Sequence, residues 1–311
     1  MDRRSFLQSL AAVAACTALG GKALAADSKP QLAITMDDPA PVAAGGLSAA
    51  ELNTRILGHL ERHKIKATLF VCGMRVDNPD GFKLLETWND AGHTLGNHTY
   101  SHLYLNSQKI TLQAFCDDIA HGEAVASQHT RFRRIFRYPF FKEGDTQEKR
   151  DGVRKFLAAR GYQQGRATID ASDWAIDDRL RSRLQREPNS ELAPYRQFYL
   201  DHLWDRAQYY DDLAMKVLGQ HPRHTILIHH RLLNALFLGD VLDMFRDRGW
   251  ELISSDEAYR DPVYALDPKT LPAGESLIWG LAKESGKFES LLRYPGEDDT
   301  YEIPKMDKLK L

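Results

Sequence analysis

His98 and His102 stand four residues apart in Gly96-Asn97-His98-Thr99-Tyr100-Ser101-His102. On a helical turn, side chains at i and i+4 share one face. The spacing therefore predicts two imidazoles able to hold one metal ion, with a further ligand from elsewhere in the chain. Ile34-Thr35-Met36-Asp37-Asp38 offers it. Adjacent carboxylates at a strand end repel and raise a pKa unless one of them binds a cation. The simplest reading is one ion held by one Asp and two His, with the second Asp beside it. A zinc-protease helix would carry Glu directly after its first His. That residue here is Thr99, which argues against a protease.

These residues need elements to position them. Short apolar runs at 32–35, 67–71, 94–97, 135–137, 168–170, 225–229 and 251–253 read as strands. Amphipathic stretches at 48–63, 81–91, 111–121 and 146–160 read as helices between them. Alternating strand and helix with short connections argues for parallel strands with helices outside. About seven such strands suit an α/β fold of the distorted (β/α) barrel type, whose sites lie at the C-terminal strand ends. The charged stretch 177–220 reads as a loop leading into a long helix, and its aromatics Tyr195, Phe198, Tyr199, Trp204, Tyr209 and Tyr210 as core rather than a sugar-stacking wall. The tail 262–311 reads as an extended strap with Trp279 and Tyr294 as anchors.

The N-terminus has the layout of an export signal. Arg3-Arg4-Ser5-Phe6-Leu7 is a twin-arginine-like start, an apolar run follows, and Ala23-Leu24-Ala25 is a small-residue cleavage site. The run is too short to span a bilayer. Val13-Ala14-Ala15-Cys16 also resembles a lipobox, so a lipid anchor at Cys16 is the alternative. The expected location is exported, periplasmic or extracellular. The formal charge of the chain is −2; loss of residues 1–25 removes Arg3, Arg4, Lys22 and Asp2 and leaves −4. Nothing in that balance points to a nucleic-acid partner. Cys72, in an apolar run, and Cys116 show no CxxC spacing, hence no zinc knuckle, while a disulfide remains open in an oxidising compartment.

Five blocks, in order, resemble the polysaccharide deacetylases of carbohydrate esterase family 4: Thr35-Met36-Asp37-Asp38-Pro39, His98-Thr99-Tyr100-Ser101-His102, Arg137-Tyr138-Pro139-Phe140, Asp170-Ala171-Ser172-Asp173-Trp174 and Leu227-Ile228-His229. The likeness runs over roughly residues 30–260. It implies that Asp38, His98 and His102 bind one divalent metal, with zinc leading on ligand type and Co, Mn or Ni able to fill the same site. It implies Asp37 as the base, Arg137 as the guanidinium that keeps Asp37 anionic, and the Phe140 backbone N–H as an oxyanion donor. His229 becomes the general acid, which needs a carboxylate neighbour: Asp173, with Asp170 as the alternative. Trp174 becomes a cleft wall, and His230 points elsewhere. The family has Gly-Pro after the two aspartates where this chain has Pro39-Ala40-Pro41, so the loop beside the metal should run a different course.

The implied protein is a single catalytic domain, residues 26–261, with a helical insertion, an export signal at 1–25 and a C-terminal extension at 262–311. It removes N- or O-acetyl groups from a glycan. A small-molecule amide hydrolase on the same fold and an inactive glycan-binding protein are the alternatives.

Overall fold

The computed structural model describes residues 29–293, 299–300 and 302–311. The export signal, Cys16 and Tyr294 lie outside the described residues. In chain order the elements are β1 (Gln31–Asp37), α1 (Ala49–Arg62), β2 (Thr68–Val71), α2 (Gly73–Val76), α3 (Pro79–Asp90), β3 (Thr94–Asn97), α4 (Leu112–Ala126), β4 (Phe132–Phe136), a 3-10 turn (Pro139–Phe141), β5 (Lys142–Gly144), α5 (Gln147–Ala159) and β6 (Gln163–Gln164). Then come α6 (Asp173–Arg186), α7 (Ala193–Leu218), β7 (Arg223–His229), α8 (Leu232–Asp247), β8 (Glu251–Leu252), α9 (Ser255–Ala258), β9 (Ala273–Gly274), α10 (Leu277–Ser285) and α11 (Glu302–Leu309).

Seven strands form one parallel sheet in the order β6-β4-β3-β2-β1-β7, with β8 pairing β1 beyond this path. The sheet is a half-barrel ringed by helices, a distorted (β/α) barrel. β1 is buried on both faces, with Leu32, Ala33, Ile34, Thr35 and Met36 fully enclosed, as expected for a parallel strand covered by helices. Its helices start where side chains satisfy the free N–H groups. Ser48 and Glu51 form a reciprocal capping box on α1, and Thr111 and Thr146 cap α4 and α5, each such cap contributing about 1 kcal/mol.

Three expectations need correction. Residues 168–170 do not form a strand. Thr168 and Ile169 both donate to the Thr225 carbonyl, and only Ile169 makes a bridge, to Ile226, before the chain turns into α6. The segment that begins as β6 on β4 thus ends against β7, and this irregular crossing is the distortion of the barrel. The stretch after Asp177 is not a loop: α6 already runs from Asp173, with Ile176 and Leu180 buried four residues apart on its inner face. The tail is not an extended strap. β9 pairs antiparallel with β5, α10 packs on α7, and Trp279 Nε1 donates to the Arg293 carbonyl.

The aromatics of α7 are core: Tyr195, Phe198, Tyr199 and Tyr210 are buried, and Trp204 and Tyr209 pack partly buried against them. Cys72 and Cys116 are buried and unbridged. After Asp38 the chain closes a tight turn between Ala44 and Leu47 through left-handed Gly45 and Gly46. Gly45 sits so close to Leu232 and Leu184 that the loop is seated on α8 and α6.

Candidate active site at the strand ends

Parallel pairing of β1 with β7 places Asp37 in register with His229. Two chemically different groups thereby meet at neighbouring strand ends, and the other site residues gather round them. One cavity of about 230 Å³ is lined by Asp37, Asp38, His98, His102 and His229 together with Phe140 and Trp174. The four residues singled out by type and spacing, Asp37, Asp38, His98 and His102, all line it.

Asp37 is buried against Arg137, whose side chain is fully enclosed. The guanidinium donates to Asp37 Oδ1 at 2.7 Å, to Thr35 Oγ1 at 2.8 Å, to Tyr259 Oη at 3.1 Å and to the Gly165 carbonyl at 2.8 Å. Burial pushes the Asp37 carboxyl up while Arg137 pulls it down, and the net direction is up. Arg137 thus acts in the expected sense without overcoming desolvation. Its grip on Oδ1 leaves Oδ2 facing His98, 3.6 Å from Nε2.

Asp38, His98 and His102 offer ligand atoms that all lie within 4.8 Å of one another. His98 Nδ1 sits 2.9 Å from the Arg137 carbonyl, so it carries the proton and Nε2 presents a lone pair. Burial pushes both imidazoles down to about 4, the state a metal requires. Burial would raise Asp38, but the two imidazoles and Arg75 outweigh it and hold its carboxyl low. Asp38 Oδ1 is buried without a hydrogen-bond donor; Arg75 Nε approaches to 3.2 Å, outside hydrogen-bond geometry. A carboxylate with an orphaned buried oxygen and two neutral imidazoles together fit a divalent transition ion.

The histidine pair does not ride on a helix, as its spacing suggested. His98 to His102 is a loop after β3, with Thr99 and His102 in the left-handed region. Those two backbone reversals bring the rings to 4.9 Å. The loop is held from α4, a support the motif alone does not reveal. Asp118 accepts the Ser101 N–H with both carboxylate oxygens, Asn97 Oδ1 accepts from Thr99 N and Thr99 Oγ1 from His102 N, and Gly122 lies directly beneath the Thr99 carbonyl. Asp38 and Phe140 are left-handed too. Such strain, about 1–3 kcal/mol per residue, collects where function holds it in place.

His229 pairs with Asp173: Nδ1 is 2.7 Å from Oδ1, and the His229 amide donates to Oδ2 at 2.8 Å. Asn234 on α8 donates to the same carboxylate and to the His229 carbonyl, and Tyr199 holds Asn234 in turn. Burial alone would depress His229, but the charge and hydrogen bond of Asp173 outweigh it and raise it to about 9. The alternative partner, Asp170, is fully buried and exerts its charge on Arg206 and Tyr210 of α7 instead. His230 faces away from the cavity, with Nε2 3.0 Å from Asn53 Oδ1 beside Trp88. Phe140 sits edge-on to His102 at 4.5 Å. Asp118, Gly122, Asn234, Tyr259 and Arg75 carry no motif and become visible through their contacts.

Three comparisons bear on this arrangement. A profile of the polysaccharide deacetylases matches residues 25–183. A peptidoglycan-N-acetylglucosamine deacetylase of Bacillus cereus is 26% identical over 149 residues, 47% of this chain and 47% of that protein. The chain therefore spans about half the length of the curated relative it matches. Among solved structures, a mutant of a CE4 family pseudoenzyme superposes with a TM-score of 0.51 at 20% identity, over 75% of this chain and 68% of that one. A peptidoglycan N-acetylglucosamine deacetylase bound to an N-oxidanyl-benzamide gives 0.50 at 18% identity, over 76% and 91%. At these identities the structural likeness is one of fold.

Proposed function

The chain belongs to the polysaccharide deacetylase family, carbohydrate esterase family 4, and from this premise we propose that it hydrolyses N- or O-acetyl groups on a glycan. One observation carries the reading: a carboxylate and an imidazole, register partners on β1 and β7, flank three side chains able to hold a metal ion in one cavity. Structures of the same fold include a pseudoenzyme; in this chain the residues proposed as ligands, base and acid are all present.

Asp38, His98 and His102 would hold the ion, which would supply Lewis-acid polarisation of water and of the acetyl carbonyl when bound. Asp37 Oδ2 takes the proton of the attacking water; its raised pKa suits a base. The Phe140 amide serves the developing oxyanion, held ready by its turn before the reaction. His229, protonated through Asp173, gives its Nε2 proton to the leaving nitrogen or oxygen. Trp174 forms a wall of the cavity. The twin-arginine-like start supports export, so the glycan is met outside the cytoplasm.

Acetate release should be followed on acetyl-chitooligomers, acetyl-xylan and peptidoglycan with zinc-loaded protein, the metal-stripped protein and Asp37→Asn as controls. Zinc-dependent release that Asp37→Asn abolishes is expected from at least one polymer. Absence of release from all three by the loaded protein sinks the reading, and release only from small acetamides would favour a small-molecule amide hydrolase.

A further inference from the structure

Two guanidinium groups of the cavity take no part in the proton transfers of this chemistry. Arg75 of α2 and Arg231, just before α8, both line it. Arg231 is matched by carboxylates: Asp178 at 2.8 Å and Asp177 at 3.8 Å. Arg75 is not. Among the described residues its one ion-pair contact is with Asp38, and that contact lacks hydrogen-bond geometry. Asp38 is also the carboxylate of the metal trio. A divalent ion there more than cancels the Asp38 charge, so Arg75 then faces net positive charge with no anion of its own.

The backbone that carries Arg75 is fixed beside the trio. α2 is tied to the histidine loop, with Gly73 N donating to the Thr99 carbonyl and Met74 N to the Tyr100 carbonyl. Its side chain is nevertheless 38% exposed, open to an incoming group. We propose that Arg75 is a specificity-determining residue that binds a carboxylate on the sugar carrying the scissile acetyl group, so that the substrate is an acidic glycan. This rests on reading the cavity as a deacetylase site. A guanidinium presents a planar fork of donors that matches a carboxylate bidentately. The cavity, at about 230 Å³, is smaller than the roughly 300–1,000 Å³ of drug-sized pockets. The anion therefore belongs on the same ring or its immediate substituent.

The test uses the zinc-loaded full chain carrying Asp37→Asn to stop turnover. Calorimetry would compare N-acetylglucosamine, its C6-carboxylate form and N-acetylmuramic acid, which place the charge at two different ring positions. At least one acid should bind roughly tenfold or more tightly than the neutral sugar, the scale of one charge-assisted hydrogen bond, and the preference should shrink with added salt. Adding Arg75→Gln should collapse the acid-to-neutral ratio to about one, and Arg75→Lys should retain part of it. Zinc content and circular dichroism of both variants certify a folded, loaded protein. The inference is overturned if neither acid is preferred, if no sugar binds, or if Arg75→Gln leaves the ratio intact. It is equally overturned if Arg75→Gln weakens only acetate binding, which would assign Arg75 to the product. Arg75-dependent acid preference without acetate release from the wild type on any polymer would remove the deacetylase reading and with it the scissile acetyl group, leaving only the part of this inference in which Arg75 selects an acidic sugar. Acetate release with no acid preference would do the reverse.

Discussion

Asp173 clamps His229 twice, accepting from the imidazole at 2.7 Å and from the backbone amide at 2.8 Å, across a separation of 56 residues. The folded-state pKa of His229 lies above its ordinary value, raised to about 9. The pair's contribution to stability is therefore complete below the ordinary histidine value and is lost as pH rises through about 9. Activity should fall over the same alkaline range, as the acid loses its proton. Asp173→Asn should move the alkaline limb of the kcat profile to lower pH. His229→Ala should lower kcat by roughly 10²–10⁴, the usual scale for a general acid, with metal content unchanged. A limb that stays put in Asp173→Asn and moves in Asp170→Asn would transfer the partner role.

The metal trio makes its own prediction. Elemental analysis of protein loaded with zinc should find about one ion per chain, and His98→Ala should lose most of it, since two remaining ligands seldom hold a transition ion. Affinity should also fall at acid pH, because both imidazoles must stay neutral to bind. Unaltered zinc content in His98→Ala would refute the site.

Gly122 supports that site from beneath without touching it. A Cβ there would come within 2.5 Å of the Thr99 carbonyl carbon and 2.8 Å of Asn97 Oδ1. Backbone cannot move aside as a side-chain tip can, so Gly122→Ala should push the histidine loop outward at about 1–3 kcal/mol, the usual cost of overpacking. Zinc affinity, measured by competition with a chromophoric chelator, should drop although every ligand remains. Equal affinity in the variant would show that the loop tolerates the displacement.

What the residues disclosed in advance follows a physical division. Type and local spacing made Asp37, Asp38, His98 and His102 legible, whereas Arg137, Asp173 and His229 were legible through their resemblance to the deacetylase blocks; the parallel α/β sheet was legible too, since burial on both faces writes continuous apolar runs. The geometry joining them was not. The i, i+4 histidines suggested a helix, yet left-handed Thr99 and His102 achieve the same approach in a loop, and two non-glycine residues in that region are not foreseen from propensity. Asn234 and Asp118 are ordinary helical polar residues until their partners are seen. The crossing at 168–170 failed as a strand because Thr225 offers one carbonyl to two successive amides, which local pattern cannot express.

Intact mass of protein recovered from outside the cytoplasm tests the reading of the N-terminus as an export signal. The first residue should be Ala26. A lipid-modified Cys16 would select the lipobox, and an exported chain keeping residues 1–25 unmodified would remove both.

Arg137 offers the sharpest separation of structure from chemistry. Its guanidinium is fully enclosed and makes four hydrogen bonds, one of them to the buried Asp37. Arg137→Met removes the guanidinium and leaves the buried Asp37 carboxylate without its hydrogen-bonded ion-pair partner. That should destabilise by about 3–5 kcal/mol, the usual consequence of breaking a buried ion pair. The Asp37 carboxyl is already raised by burial, and losing Arg137 raises it further. A group whose folded pKa is raised stabilises the fold when protonated and withdraws that support as pH rises. The Arg137→Met deficit should therefore be larger at pH 8 than at pH 5 in urea unfolding. Adding Asp37→Leu should recover part of it at pH 8 while abolishing acetate release, because the proposed base is gone. A deficit independent of pH, or one that Asp37→Leu deepens, would mean that the bonds to Thr35, Tyr259 and Gly165, and not the charge pairing, are what Arg137 supplies.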